Sequence, residues 1–141
     1  MFDHIMVPID LGYVETLEPA LAKVADLARH YNATITYVGV TSNSPNSVAR
    51  TPEEYQQKLE AFAQKRHAAH GRPVAAKVYR STDPIANLDD LLLQAVDDVG
   101  ADLVIMATHL PRSLDIVLPA HGGTLASRTS ASVFLLRHDQ G

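Results

Sequence analysis

The chain has 141 residues, enough for one domain and too few for two well-stocked cores. Hydrophobic residues at 46% and charged residues at 20% exclude a disordered chain, and a formal charge of −4 gives no pull toward nucleic acid or anionic membranes. There is no cysteine for a disulfide, thiolate metal site or thiol nucleophile, no long apolar run, and no basic-then-apolar leader, so the expectation is a cytoplasmic protein without membrane insertion.

Ile5-Met6-Val7-Pro8-Ile9 is apolar without alternation, as in a strand buried on both faces, although Pro8 cannot donate to a sheet ladder. From Glu15 to Tyr31 the apolar positions Leu17, Ala20, Leu21, Val24, Leu27, Ala28 and Tyr31 trace one helical face, and Asn32 suits the left-handed turn that closes a helix. Thr34 to Val40 is rich in β-branched residues and predicts a second strand. Thr51-Pro52-Glu53-Glu54 is a helix start, with a capping threonine, a proline at the first helical position and a glutamate closing the box. Tyr55, Leu59, Phe62 and Ala63 form its stripe, and Gly71 with Pro73 ends it.

Val74 to Tyr79 predicts a weaker strand, and Asp83-Pro84 opens a third helix that runs to Gly100. Asp102 to Thr108 predicts a clean buried strand, a short helix is expected from about Gly123 to Arg128, and Val133-Phe134-Leu135-Leu136 predicts a last strand. Strands alternating with helices imply a Rossmann-like α/β fold in a single domain spanning 1–141, with an open, mostly parallel five-stranded sheet and helices on both faces. Ligands of such sheets sit beyond the carboxyl ends of the strands, where strand order reverses. That rule directs attention to Asp10, the residues after Val40 and the segment after Ala107.

No Gly-x-Ser-x-Gly elbow, P-loop or Gly-x-Gly-x-x-Gly occurs, so no catalytic residue is assigned. His67 and His70 share a predicted helix face, but they lie at its carboxyl end, where the dipole favours imidazoles, and no metal site is expected. Asp89-Asp90 and Asp97-Asp98 fit a solvated helix face better than an acid/base pair. Asp10 suits hydrogen bonding to a ribose or base, and equally an Asx-turn or helix cap. Gly122, Gly123 and Thr124 open a helix with exposed amides that can hold phosphate, with His109 and Arg112 as added donors; on the residues alone, a plain turn capped by Thr124 is the favoured reading.

Three fragments resemble the universal stress protein family in order and spacing: Met1 to Asp10 with its Val7-Pro8-Ile9-Asp10 ending, Ala101 to His109, and Val133 to Arg137. The resemblance covers essentially the whole chain. It implies a homodimer joined through the last strand, Val133 to Leu136, and ATP or a related adenine nucleotide, with or without Mg, between the first and fourth strands. Asp10 would contact base or ribose, Pro8 would shape the pocket and Val40 would pack near the adenine. Ala107, Thr108, His109, Arg112, His121, Gly122, Gly123 and Thr124 would take ribose and phosphates. The family loop has the form Gly-x2-Gly-x9-Gly-Ser/Thr. Here Ala107 and Leu110 replace its first two glycines, and Pro119-Ala120 stands at its end, one residue short.

The function expected is a nucleotide-binding stress-response regulator that signals to an unidentified protein partner, hydrolysing nucleotide slowly at most. The alternative is a dimeric adaptor of the same fold that has lost the ligand. A distant third is a hydrolase using His109 or His121 with Asp10.

Overall fold

Strand side chains point alternately to opposite faces, so an uninterrupted apolar run needs cover on both sides. In the computed structural model, which describes residues 2–45, 48–107, 125 and 127–136, five strands form a single sheet with that cover. They are β1 (His4–Pro8), β2 (Thr34–Ser42), β3 (Val74–Ser81), β4 (Leu103–Ala107) and β5 (Ser132–Leu136). All pairings are parallel, in the order β3-β2-β1-β4-β5. Among the described residues α1 (Glu18–Tyr31), α2 (Pro52–His70) and α3 (Pro84–Val99) connect the first four strands in turn.

The two faces have separate cores. Ile5, Val7 and Ile9 of the first strand segment and Leu103 and Ile105 of β4 pack against Leu21, Val24 and Ala28 of α1 and Leu59 and Ala63 of α2. Met6, Val104 and Met106 point the other way, onto Leu92, Ala95 and Val96 of α3 and onto Leu125. Leu125, Ser127 and Arg128 are helical, which agrees with the short helix expected there as far as the described residues reach.

Helix ends follow their sequence signals. Thr51 Oγ accepts from the Glu54 N–H at 3.1 Å, and Pro52 fills the first helical position of α2. Asn32 adopts φ 57° after α1, and Gly71 adopts φ 74° after α2 while donating to His67 O at 2.7 Å.

The stretch expected as one helix from Glu15 divides in two. Leu11–Leu17 is a 3-10 helix and α1 begins only at Glu18. Pro19 explains the break: it lacks the N–H that an α-ladder through residues 15–19 requires, and is accommodated only in the first turn. β2 and β3 each extend two residues beyond the expected Val40 and Tyr79. The described part of β4 ends at Ala107, and Thr108 lies outside the described residues.

Candidate functional site

Pro8 creates the feature on which the site depends. Residues of a parallel strand direct their N–H and C=O groups alternately to its two neighbours. Asp3 O and Ile9 N–H bond toward β2, whereas His4 O accepts from Asp102 N–H, just ahead of β4. Pro8 shares the parity of His4, so its missing N–H is on the β4 side. The β1–β2 register accordingly runs through to Pro8 opposite Val38, while the β1–β4 register consists of Ile5 with Leu103 and Met6 with Val104. The two central strands are laced at their amino ends and unlaced at their carboxyl ends, which is where strand order reverses.

A narrow cleft, open to solvent and with room for about one water, lies at that gap. Pro8 and Ile9 line one side, Ile105 and Ala107 the other, and Leu17 and Ala20 complete it from the 3-10 helix and α1. Its walls are apolar, suited to a flat or greasy group rather than a bare anion.

Asp10 follows directly and is exposed. Its Oδ1 accepts from the Gly12 N–H at 2.9 Å, which starts the 3-10 helix. The cap reading of Asp10 is thus realised, with one carboxylate oxygen used for it. The next residue is fixed from α2, because Leu11 N–H donates to the Tyr55 hydroxyl at 3.2 Å. Burial pushes the Tyr55 hydroxyl pKa upward, and the nearby Asp10 charge adds to the rise against the Leu11 bond. Gly39 makes room for this ring: a Cβ there would lie 2.7 Å from Tyr55 Cε1. Tyr55 reads in sequence only as a member of a core stripe. Its signal is Gly39 inside a strand, a mark of close approach.

The expected site residues separate into three groups. Pro8 and Ala107 line the cleft, and Asp10 follows its Ile9 wall in the chain as the cap of the 3-10 helix. Val40 packs on the opposite face, with the core beneath α3, and does not line the cleft. Thr108, His109, Arg112, His121, Gly122, Gly123 and Thr124 lie outside the described residues, as do Leu110, Pro119 and Ala120.

Other candidates have local partners. His67 Nδ1 donates to Arg72 O at 2.8 Å, and His70 Nδ1 accepts from Arg72 N–H at 3.0 Å, so both rings finish the α2 terminus. Burial first, then the charges of Arg66, Arg29, His67 and Arg72, push the His70 pKa downward. Among the described residues no group of three or more His, Asp or Glu is placed to hold a metal. Asp98, expected on a solvated face, accepts from the Tyr79 hydroxyl at 2.7 Å and pairs with Lys77 at 3.6 Å. No helix among the described residues is long and apolar enough to cross a membrane.

The family model described as "Universal stress protein family" matches residues 1–137. Among solved structures, a universal stress protein in complex with cAMP superposes with a TM-score of 0.67 at 16% identity, covering 98% of this chain and 99% of that one. A member of that family from Burkholderia pseudomallei gives 0.67 at 20% identity, covering 95% of each chain. The universal stress protein from Archaeoglobus fulgidus in complex with dAMP gives 0.64 at 15% identity, covering 94% and 96%. No curated protein matches the chain in sequence.

Proposed function

The chain belongs to the universal stress protein family, and we propose that it binds an adenine nucleotide across the carboxyl ends of β1 and β4. The observation that carries this reading is the Pro8 gap, an apolar slot at the reversal of strand order, with the exposed Asp10 next in the chain after its Ile9 wall. In that reading the base or ribose packs over the mouth of the slot and Asp10 accepts from it. The backbone and side chains of Thr108, His109, Arg112, His121, Gly122, Gly123 and Thr124 take ribose and phosphates, with Mg accompanying a triphosphate. The cAMP and dAMP held by two proteins of the same fold support an adenine ligand. The protein is a cytoplasmic stress-response regulator rather than an enzyme, with nucleotide hydrolysis slow at most. It dimerises through β5 and passes the bound state to a protein partner.

Thermal unfolding with and without AMP, ADP or Mg-ATP tests the reading. A ligand present at 100 times its Kd adds about 2.7 kcal/mol to the folded state, which raises Tm by roughly 5–10 °C for a domain of this size. Asp10→Ala should remove most of that rise. No shift with any of the three at millimolar concentration would sink nucleotide binding. It would leave a ligand-free dimeric adaptor, the reading favoured by Leu110 and Pro119-Ala120 in the loop, since a proline has no N–H to offer a phosphate.

A further inference from the structure

A five-stranded open sheet has two outer strands, here β3 and β5, and each presents a row of backbone groups to any passing strand. In β3 the odd-numbered positions turn inward, as the bond from Ile35 N–H to Pro73 O shows. Residues 74, 76, 78 and 80 therefore direct their N–H and C=O groups outward. At the middle of that row stands the side chain of Gln56 from α2. Its Nε2 donates to Ala76 O at 3.1 Å, and its Oε1 accepts from Val78 N–H at 3.0 Å. The carboxamide's Oε1 and the Nε2–H on the same side present an acceptor and a donor to one edge, as the C=O and N–H of a single residue of a parallel strand do, so Gln56 occupies the place that one residue of an added strand would take. One turn earlier on the same helix face, Glu53 pairs with Arg80 of β3 at 2.7 Å.

The opposite edge has a different character. β5 reads Ser-Val-Phe-Leu-Leu, carries no charge, and leaves Leu135 47% exposed. If β5 of one copy paired with β3 of the next, the sheet would continue in the same order without limit. Such head-to-tail contacts generate fibres, whereas pairing of β5 with its own symmetry mate closes at two copies.

We propose that Gln56 is an edge guard that denies β3 to the β5 strand of a second copy, so that association stops at a closed pair. The inference is independent of nucleotide binding. It is tested on the full chain by sedimentation over a concentration series, with amide exchange of Val78 read in dilute solution. Gln56→Ala should make the Val78 amide exchange at least about tenfold faster, since its hydrogen bond is removed, and should give a mass that climbs with concentration where the wild type reaches a fixed value. Adding Leu135→Lys to that variant should stop the climb. Should Gln56→Ala fail to fold by circular dichroism, Gln56→Met serves instead: it keeps the length and apolar stem, loses both bonds to β3, and carries the same expectation of a faster Val78 amide and a mass that climbs with concentration. An unaltered Val78 amide in the alanine variant, a fixed mass in both variants, or growth that persists in Gln56→Ala with Leu135→Lys would each overturn the proposal.

Discussion

Asp102 joins three strands at the amino-terminal end of the sheet. Its carboxylate accepts from Asp3 N–H at 2.9 Å and from His4 N–H at 3.1 Å, its own N–H donates to His4 O, and its carbonyl accepts from Ser132 N–H. Hydrogen bonds to a charged group contribute about 1.5–3 kcal/mol each, with partial exposure lowering the figure. Asp102→Ala should therefore destabilise the protein by about 2–4 kcal/mol, read as a lower urea midpoint with unchanged slope. Asp102→Asn should lose less, because its remaining oxygen still accepts. In sequence Asp102 is only the polar residue before a buried strand. What identifies it is the pair of amides waiting a hundred residues earlier, which no local pattern discloses.

At the scale of elements, β3 and α3 are joined by the Tyr79–Asp98–Lys77 set. The Tyr79 hydroxyl bond first, then the Lys77 charge, hold the Asp98 carboxyl below its ordinary value of 3.8. A carboxyl lowered in the folded state adds stability above that ordinary value and loses it as pH falls through the folded one. Tyr79→Phe should therefore lose less stability than the wild type on acidification below about pH 4, measured as Tm against pH. The two curves should run parallel near neutrality.

The elements themselves were largely legible in the sequence, because apolar periodicity and caps such as Thr51, Asn32 and Gly71 act locally. Pro19 shows the limit: the stripe of Leu17, Ala20 and Leu21 continues through it, while the backbone bonds do not. Part of the gap was legible as well. The rule about carboxyl ends found Asp10 and Ala107, and Pro8 stood out as an anomaly. Which neighbour loses its bond at Pro8, and to which face Val40 points, depends on register, a relation between distant strands rather than a property of either.

The whole molecule has a modest negative charge and an uncharged apolar outer strand, β5, which suits association by contact rather than by long-range attraction. In the dimer proposed above, Leu135→Lys places a charge at the centre of the shared edge. The dimer should weaken by at least about tenfold, the equivalent of 1.4 kcal/mol, and the sedimenting mass should approach that of one chain, with Tm nearly unchanged in dilute solution. A dimer that survives this variant would place the interface elsewhere.

The Pro8 gap also gives the sheet a mechanical axis. β3, β2 and β1 are joined by long registers, eight residue pairs between β2 and β3 and five between β1 and β2, and β4 and β5 by five; among the described residues the strand pairs between these two panels are Ile5–Leu103 and Met6–Val104. The panels are therefore hinged along one end, with the Asp102 carboxylate as the pin. At the carboxyl ends the two panels are held instead by the shared core of Val7, Ile9 and Ile105 under α1, so a widening of the slot would work against side-chain packing rather than against strand pairs.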